Sequence, residues 1–442
     1  MKADIIVIGA GVAGLAAARM LAQRSLDVVA LEARDRIGGR IFSVPTSDGS
    51  LPQELGAEFI HGPAEETRTL LARSGGIALD TGGESWSNAG DGTLARSEND
   101  LASAVTLLAG ARDLPADESV AQYLERFACD AGRREAIANA RIFAEGFDAA
   151  DPEIASAWSI ADEIRSGVDF SSAWPSAGYS PILAELVADC ANAGAKIRLS
   201  TQVRAVHRHR SGVEVETTNA SSERGVATAR AAIVTVPIGV LNAIGDERLV
   251  FEPELPSHTR AALAHFEMGH VVKVVMRFAP PFWQTIGGGR YRDAGFFRDV
   301  RGPFAVFWTQ APVHRSDLVA AWIGGPGAKR IHDVPPDERI AIALEQFDTL
   351  LGDVAAARAA FAGGATHDWM RDPFARGAYS YIRTGGAEAR RVLAEPIGQT
   401  LFFAGEATST DGQGGTVNGA IRSGERAARE ALTALEEKGD LR

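Results

Sequence analysis

Three glycines and one acidic residue near the start of the chain have the types and spacing that a dinucleotide site requires. Gly9, Gly11 and Gly14 follow the pattern GxGxxG, and Glu32 follows them at about 20 residues. In such a site the first glycine permits a tight turn, the second lets the backbone approach a pyrophosphate, and the third lets a helix pack closely. A carboxylate at the position of Glu32 accepts hydrogen bonds from a ribose.

The surrounding sequence predicts the elements that position these residues. Residues 5–8 form a continuous β-branched run, which is typical of a strand buried on both faces of a parallel sheet. A helical pattern begins at Leu15, and residues 28–31 form a second apolar run. This βαβ order places the glycines at a helix N-terminus, where unpaired N–H groups bind phosphate. The alternative is a glycine-rich turn that binds no ligand.

The residues that follow the ribose carboxylate favour FAD over a nicotinamide nucleotide. Arg34, Gly38, Gly39 and Arg40 lie in the segment EARDRIGGR. A nicotinamide enzyme has no need of this extension. A flavin enzyme needs it because FAD is long, and further backbone must wrap its pyrophosphate and ribityl chain. The pattern resembles that of the GG-motif flavoproteins.

The composition describes a globular chain of 442 residues, of which 45% are hydrophobic and 23% charged. This length exceeds one ordinary domain. The formal net charge of −12 argues against nucleic-acid binding and weakly favours cationic ligands. Cys129 and Cys190 lack metal-ligand spacing, so we expect a buried Cys190 thiol, no disulfide and no metal site. The lack of a membrane-length apolar run or a leader pattern predicts a cytoplasmic protein without a membrane segment.

The alternation of patterns predicts two domains, each built from separate segments. Residues 1–79, 178–249 and 376–442 are predicted to form a discontinuous nucleotide-binding domain. Residues 80–177 and 250–375 are predicted to form a substrate-binding domain, in which the first segment is an Ala-rich helical insert and the second contributes strands. The substrate-binding domain is therefore expected to interrupt the nucleotide-binding domain twice.

Individual elements follow from periodicity and turn signals. Asp151-Pro152 predicts a helix start, and Ser211-Gly212 predicts a hairpin. The predicted helices span residues 101–111, 120–127, 133–147, 181–193 and 336–351, with a final helix ending near 435. The further predicted strands span residues 196–199, 203–209, 213–217, 227–230, 232–236, 271–278, 304–309, 318–323 and 400–404.

Lys273 and two tyrosines could carry chemistry, although each also has a structural interpretation. Lys273 shares a strand face with apolar residues, and by itself this favours an edge-strand lysine that reaches solvent. Tyr379 and Tyr381 alternate, so we expect them to share one strand face. That pattern alone is about as typical of aromatic core as of a binding site.

Two residues in the segment LGAEFIHG are candidates for substrate contact. An isolated histidine is more often structural, but the glycine beside His61 suggests a loop at the edge of a cofactor. Glu58 could pair with a substrate ammonium or serve as a structural carboxylate, and both possibilities stay open. His265 and His270 have no metal spacing with either cysteine.

Several motifs in a fixed order resemble those of the flavin-containing amine oxidases, which include monoamine oxidases, polyamine oxidases and lysine demethylase oxidase domains. The resemblance covers nearly the whole chain and is loose over residues 80–177. The motifs are EARDRIGGR, LGAEFIHG, TVPIGVL, the strand lysine before Phe282-Trp283, DPFARGAYSY, LFFAGEATS and GTVNGAIRSGERAA.

The resemblance implies an α/β fold with a Rossmann-like FAD-binding domain of the p-hydroxybenzoate-hydroxylase type and an inserted α+β substrate-binding domain. It also implies a reaction. A primary or secondary amine, either a polyamine or a monoamine, is oxidised to an imine by hydride transfer to flavin N5. O₂ then reoxidises the flavin to give H₂O₂, and hydrolysis of the imine gives an aldehyde.

The same resemblance implies roles for individual residues. Lys273 would hold a water near flavin N5, and Tyr379 would form one wall of an aromatic sandwich in which the amine loses water and favours its neutral form. Glu406 would bind the ribityl chain, and Val417 would offer its backbone N–H to the flavin. His61, Glu58 and Thr416 would lie on the substrate side. The full set of implied cofactor contacts is Gly9, Gly11, Gly14, Glu32, Arg34, Gly39, Arg40, Gly56, Ala57, Glu58, Val203, Gly405, Glu406, Thr416 and Val417.

Two residues depart from the monoamine oxidases. Ala378 stands where those enzymes carry the cysteine that bonds to FAD, so the cofactor is expected to be non-covalent. Thr416 stands where those enzymes carry the tyrosine that forms the second aromatic wall, and this difference favours the polyamine-oxidase and demethylase branch. Thr416 or Asn418 is expected to cap the last helix, whose N-terminus would stabilise a reduced, anionic flavin.

Other functions stay open at this point. An L-amino-acid oxidase of the same fold would need an arginine for the substrate carboxylate, and Arg292, Arg298 and Arg383 are candidates. A redox-silent FAD-binding interaction protein is a second alternative, and a carotenoid-desaturase-like enzyme at a lipid surface is a third. The expected partners are a small-molecule amine and O₂, with the oligomeric state left open between monomer and homodimer.

Overall fold

The computed structural model describes residues 1–46, 50–88, 93–97, 101–167, 171–299, 301–352, 355–437 and 439, and within them the chain is mixed α/β, as predicted. Its strands are β1 (Ile5–Ile8), β2 (Val28–Leu31), β3 (Ser43–Val44), β4 (Gln53–Glu54), β5 (Ile60–His61), β6 (Ala78–Asp80), β7 (Glu84–Asn88), β8 (Leu94–Arg96), β9 (Ser172–Pro175), β10 (Lys196–Arg198), β11 (Thr201–His209), β12 (Gly212–Asn219), β13 (Arg224–Ala229), β14 (Ala231–Val234), β15 (Val250–Glu252), β16 (Phe266–Met268), β17 (Val271–Phe278), β18 (Ala294–Arg298), β19 (Val306–Trp308), β20 (Leu318–Gly324), β21 (Phe361–Thr366), β22 (Ser380–Ile382) and β23 (Leu401–Phe403).

The helices in the same part of the chain are α1 (Val12–Ala22), α2 (Glu65–Arg73), α3 (Leu101–Ala109), α4 (Val120–Glu125), α5 (Arg134–Gly146), α6 (Ala157–Arg165), α7 (Ser180–Asn192), α8 (Ile238–Leu241), α9 (Ser257–Leu263), α10 (Ile286–Gly289), α11 (Gly325–Lys329), α12 (Pro336–Leu351), α13 (Ala356–Ala360), α14 (Ala389–Ala394) and α15 (Val417–Glu437). The described residues contain no helix with both the length and the apolar character that a membrane crossing requires.

A five-stranded parallel sheet with the order β10-β2-β1-β14-β23 carries the first glycine motif. Strands β1, β2 and β14 are buried along their whole length, because their apolar side chains face a covering layer on each side. Helices α1, α7 and α15 cover one face. A second sheet, β13-β12-β11-β15, covers the other face, and its β11–β12 hairpin turns at Ser211 as predicted.

A seven-stranded sheet with the order β21-β17-β20-β19-β18-β7-β8 forms the other large layer. Alternate residues of its strands pack with α12 in an aromatic core that contains Phe278, Phe297, Phe307 and Phe347. The other residues of these strands point to the opposite face of the sheet, toward the glycine motif of the five-stranded parallel sheet. Strand β17 lies between β20 and β21, so the edge-strand interpretation of Lys273 is wrong.

The segment 80–177 is not only a helical insert. It also contributes β7 and β8 to the seven-stranded sheet and β9 to a small sheet with β5 and β6. The sequence ESWSN of β7 has no apolar face apart from Trp86, so its periodicity did not indicate a strand. Helices α3 to α6 pack around a common core of their own, with Tyr123 and Phe143 among its members.

The predicted helix start at Asp151-Pro152 is wrong, since the helix begins later, at Ala157. Asp151 Oδ1 instead accepts the backbone N–H of Glu153 in a turn, at 3.2 Å. Helix α6 begins at Ala157, because Ser156 Oγ caps it by accepting the backbone N–H of Ser159 at 2.9 Å. The segment 147–156 is therefore a turn beside the helical core.

Two short pairings place other predicted residues. His61 ends the strand β5, which pairs with β9, so its expected position in a loop is wrong. Strand β22 begins at Ser380, one residue after Tyr379. Tyr381 packs in the helical core. Cys190 is a buried free thiol, as predicted, and Cys129 is an exposed one.

Candidate active site

One cavity of about 1360 Å³ extends from the first glycine motif to the seven-stranded sheet. Every site residue that the sequence predicts, except Gly14, lines it. The name "cofactor half" is used here for the part lined by Gly11, Glu32, Arg34, Arg40 and Glu406. The name "substrate half" is used for the part lined by Lys273, Trp308, Trp322, Tyr379 and Arg298.

The glycines of the first motif have three different environments. Gly9 has φ +108°, a conformation that side chains rarely adopt. A Cβ on Gly14 would lie 2.0 Å from the carbonyl oxygen of Gly9, so this glycine permits α1 to pack on the strand end. A Cβ on Gly11 would meet no atom within 4 Å. The backbone at Gly11 therefore borders open space at the N-terminus of α1, which fits a cofactor pyrophosphate.

Glu32 is held at the end of β2 by two backbone donors. The N–H of Ala10 donates to Oε2 at 2.7 Å, and the N–H of Arg34 donates to Oε1 at 2.9 Å. The side chain is buried and lines the cavity. These contacts fix the carboxylate beside the glycine turn, where a ribose of a bound dinucleotide would lie.

Arg34 connects the first motif to a distant segment of the chain. Its guanidinium forms a two-pronged ion pair with Asp372, with both N–O distances at 2.7 Å. Burial by itself would raise the pKa of Asp372, but hydrogen bonds from His367 and Arg34 outweigh it and hold that pKa well below its usual range. The pair fastens the segment DPFARGAYSY to the glycine motif.

Arg40 and Glu406 connect the first motif to the last. Arg40 Nη1 donates to Glu406 at 2.8 Å and to the carbonyl of Ala378 at 2.9 Å. Glu406 also accepts hydrogen bonds from Ser380 and from the N–H of Gly415. Burial would raise the pKa of Glu406, but the two nearby arginines outweigh it and lower the pKa. Motifs more than 360 residues apart thus share one buried ionic network.

The last helix points its N-terminus into the cavity. Thr416 Oγ1 caps α15 by accepting the N–H of Gly419 at 2.9 Å, and Thr416 and Val417 both line the cavity. Asn418 does not cap this helix and instead accepts from Thr67. A Cβ on Gly424 would lie 2.1 Å from the carbonyl of Ala13, so α15 packs closely on α1. The N-termini of both helices therefore face the same cavity.

The substrate half contains a buried ion pair on the seven-stranded sheet. Lys273 Nζ lies 2.5 Å from Glu58 Oε2 and 3.3 Å from the carbonyl of Gly56. Trp308 Nε1 donates to the other carboxylate oxygen of Glu58 at 3.0 Å. Lys273 is 5% exposed. Glu58 thus has two protein partners, which favours its structural interpretation over a direct pairing with a substrate ammonium.

Tyr379, His61 and Phe147 form an aromatic wall of the cavity. Tyr379 donates its hydroxyl to the carbonyl of Phe147 at 2.9 Å, and the rings of His61 and Phe147 lie 5.0 Å apart. His61 Nδ1 is 2.9 Å from Ser172 Oγ. Burial lowers the pKa of His61 to about 4, so its imidazole is neutral at physiological pH.

A smaller chamber of about 90 Å³ lies behind this wall. His61, Phe147, Tyr379 and Thr416 line both spaces and separate them. The chamber also contains two carboxylates, those of Asp148 and Glu163, and the side chain of Tyr381. Burial raises the pKa of Asp148 to about 7, although nearby Arg390 opposes the shift.

The three arginines that could bind a substrate carboxylate are not equivalent. Only Arg298 lines the cavity. Arg292 is exposed, and Arg383 is an exposed residue paired with Glu267 at 3.4 Å.

Among the described residues no group of three or more histidine, cysteine or acidic side chains could hold a metal ion.

Several residues of the site were not predicted from the sequence. Trp308 and Trp322 lie on the central strands β19 and β20, whose side chains are almost all apolar, so a period-2 pattern could not single them out. Phe147, Asp148 and Ser172 lie at the edges of helices and strands, where no periodic pattern exists. Each contributes through a contact with a residue that is distant in the sequence.

The glycine motif, the buried carboxylate of Glu32 and the capped final helix around one cavity define a dinucleotide-binding α/β protein. The chain belongs to the family described as flavin containing amine oxidoreductase, whose family model matches residues 12–432. Its cofactor is FAD, and Ala378 provides no sulfur for a covalent bond to it.

Relatives of known name span nearly the whole chain. A lysine-specific histone demethylase 1 homolog 2 of Oryza sativa is 30% identical over 99% of this chain, which spans 58% of that relative's length. Polyamine oxidase 4 of the same plant is 28% identical over 97% of this chain and 88% of its own length. The chain thus covers little more than half of the demethylase homolog.

Two solved structures share the fold. A putrescine oxidase bound to putrescine superimposes with a TM-score of 0.79 at 22% identity, covering 98% of this chain and 99% of its own. A cyclohexylamine oxidase from Brevibacterium oxydans superimposes with a TM-score of 0.79 at 23% identity, covering 99% of this chain and 100% of its own. The predicted fold class is therefore confirmed.

Proposed function

We propose that this chain oxidises a primary or secondary amine to an imine, with FAD in the cofactor half and the amine in the substrate half. The observation that carries the proposal is the single cavity that joins the two halves. It brings the phosphate-binding turn, the last helix and the Lys273–Glu58 pair to one continuous surface. Family membership supports the reaction type, and the particular amine is part of the proposal.

The cofactor half supplies positions for a long dinucleotide. Backbone N–H groups at the start of α1 would bind the pyrophosphate, and Glu32 would accept from a ribose hydroxyl. The N-terminus of α15 and the N–H of Val417 would face the flavin ring. When bound, FAD supplies the acceptor for the hydride that leaves the α-carbon of the amine and, once reduced, the electrons that convert O₂ to H₂O₂.

The substrate half favours the neutral form of the amine. Tyr379 and Phe147 give it an aromatic wall, and the neutral His61 adds no competing cation. Desolvation between such side chains lowers the pKa of an alkylammonium, so the amine loses a proton as it binds. Lys273 stays fixed by Glu58 at the floor of this half, where it would orient a water or O₂. The imine then hydrolyses to an aldehyde and ammonia or a smaller amine.

The test is anaerobic reduction of the purified, FAD-loaded protein by a panel of monoamines, putrescine and spermidine. We expect at least one amine to bleach the flavin absorbance, with H₂O₂ and an aldehyde formed when air is admitted. If no amine in the panel reduces the flavin, amine oxidation is rejected, and a redox-silent FAD-binding role becomes the better interpretation. A cytoplasmic location and the division into two discontinuous domains stay predictions.

A further inference from the structure

A row of four residues crosses the seven-stranded sheet in register and lines the cavity. Lys273 pairs with Trp322, Trp322 with Val306, and Val306 with Arg298. All four line the cavity. Because residues directly opposite each other in neighbouring strands point to the same face, the row forms a continuous floor. Its two ends are cations, and its middle is apolar.

The two terminal cations differ in their partners. Lys273 is compensated by Glu58. The Arg298 guanidinium, in contrast, has no ion pair among the described residues, and its Nε is buried without any hydrogen-bond partner. Its Cζ lies over the Phe296 ring, 5.8 Å from the ring centroid. Burial lowers the pKa of Arg298, and no acidic side chain in the described part of the chain opposes that shift.

A half-buried guanidinium whose Nε is buried without a partner is unusual, because arginine cannot shed its charge and burying an unpaired charge is costly. The other cations on the cavity wall avoid this cost in known ways. Arg34 pairs with Asp372 and Arg40 with Glu406, while Arg330 is exposed. A half-buried charge that lines a ligand cavity and has no partner among the described residues indicates that the ligand carries the opposite charge.

We infer that Arg298 binds a carboxylate at the far end of an amine substrate, so that the preferred substrate is an apolar amine with a distal anionic group. This inference rests on the proposed function, since it places the reacting amine near Lys273 and Tyr379. The planar guanidinium fork matches a carboxylate with two hydrogen bonds. Trp322 and Val306 would contact the apolar spacer between the two ends.

The length of the row excludes an α-carboxylate. Three strand spacings separate the backbones of Lys273 and Arg298, which amounts to about 14 Å. The carboxylate of an L-amino acid is attached to the same carbon as the reacting amine and would lie at the opposite end from Arg298. The same cation would also repel the second ammonium of a diamine. Arg298 therefore argues against both the amino-acid and the diamine substrates.

The test compares three amines that differ only at the far end: 8-aminooctanoate, octylamine and 1,8-diaminooctane. With the FAD-loaded wild type we expect 8-aminooctanoate to have the highest kcat/KM and 1,8-diaminooctane the lowest. In Arg298→Gln the ratio of 8-aminooctanoate to octylamine should fall about 10- to 100-fold, as expected for the loss of a charge-assisted hydrogen-bonded pair. In Arg298→Glu the order of the two charged amines should reverse. Arg292→Gln, a charge change outside the cavity, should leave the wild-type order intact.

A binding measurement separates this inference from the proposed function. Calorimetric titration of the FAD-loaded protein with octanoate, which has no amine to oxidise, should show binding that weakens at least tenfold in Arg298→Gln and partly recovers in Arg298→Lys. If octanoate binding depends on Arg298 but no amine reduces the flavin, the anion site stands and amine oxidation fails. If octylamine reduces the flavin and octanoate binds equally to wild type and Arg298→Gln, the oxidase stands and the anion site is overturned.

Discussion

Each charged side chain named in the cofactor half has a partner in the protein, whereas one cation of the substrate half, Arg298, has none among the described residues. In the cofactor half, Glu32 has two backbone donors, Arg34 has Asp372 and Arg40 has Glu406. Arg298 in the substrate half and Asp148 in the chamber behind Tyr379 each have a buried polar atom with no hydrogen-bond partner among the described residues. The charged side chains of the cofactor half are therefore compensated within the protein, whereas Arg298 in the substrate half and Asp148 in the chamber behind it carry charges that a ligand or a proton must compensate.

The largest expected effect comes from breaking the network that joins the first and last motifs. Glu406→Ala removes the buried carboxylate of the pair and leaves the half-buried cation Arg40 without its partner, a loss that for a buried pair typically costs about 3–5 kcal/mol. We expect a clear fall in the melting temperature of the FAD-free protein and little bound FAD after purification. The surface pair of Glu395 with Arg391 provides the control, and Glu395→Ala should change neither measurement appreciably. Equal behaviour of the two variants would contradict the structural role of the network.

The second prediction is that two glycines of one motif have different roles, Gly14 in the stability of the fold and Gly11 in cofactor binding. Gly14→Ala places a methyl group 2.0 Å from a backbone oxygen, and such overpacking costs about 1–3 kcal/mol or more. Gly11→Ala meets no atom, so the melting temperature of the FAD-free protein should not fall. We expect the Gly11 variant to bind FAD more weakly, as measured by flavin fluorescence titration. Wild-type FAD affinity in Gly11→Ala would show that the pyrophosphate lies elsewhere.

The two halves also differ in how much of each could be predicted from the sequence. Gly9, Gly11, Gly14 and Glu32 belong to one βαβ unit, so short-range spacing fixes their relative positions. The strand boundaries of β1 and β2 were predicted to the residue for the same reason. Arg34, a predicted cofactor contact, lines the cavity, but its partner Asp372 lies 338 residues away and had no local signal.

The substrate half depends on register, which local patterns do not determine. The row from Lys273 to Arg298 exists only because three strand pairings align four residues from separate segments. Strand β7 extends this sheet with a polar sequence that has no strand periodicity. Among the three arginines considered for a substrate carboxylate, only the assembled sheet distinguishes Arg298 from Arg292 and Arg383.

The third prediction is that removal of one arginine charge changes the stability in opposite directions in the two halves. Arg298→Met removes a half-buried charge that has no partner in the described part of the chain, so the protein without substrate should gain stability, by about 1–3 kcal/mol. Arg40→Met is the matched substitution in the cofactor half and should lose stability, because Glu406 then keeps its charge without this partner. Thermal melts of the two FAD-free variants beside the wild type measure both effects. A loss of stability in both variants would contradict the contrast between the halves.

The smallest effect concerns pH and the chamber behind Tyr379. Burial raises the pKa of Asp148 to about 7, and its neighbours in the chamber include Glu163 and Arg390. An acid whose pKa is higher in the folded than in the unfolded protein binds more protons when folded. Below the unfolded pKa, near 4, Asp148 is protonated in both states and does not reduce the stability of the fold. As the pH rises from there toward 7, the folded protein loses stability relative to the unfolded chain, because the unfolded carboxyl ionises more easily than the buried one. Asp148→Asn removes this dependence.

We therefore expect Asp148→Asn to melt higher than the wild type at pH 8, and the difference to shrink at pH 5. A change of about 1 kcal/mol corresponds to a shift of roughly 2–4 °C or less in a chain of this size. Glu153→Gln, which removes an exposed carboxylate from the same turn, should give a difference that does not change with pH. If Asp148→Asn and the wild type melt at the same temperature at both pH values, the pKa of Asp148 is not raised and its carboxylate is already ionised at pH 5 in the folded protein. The chamber would then have to hold a cation or water that compensates the carboxylate, and the unpaired charge on the substrate side would be limited to Arg298.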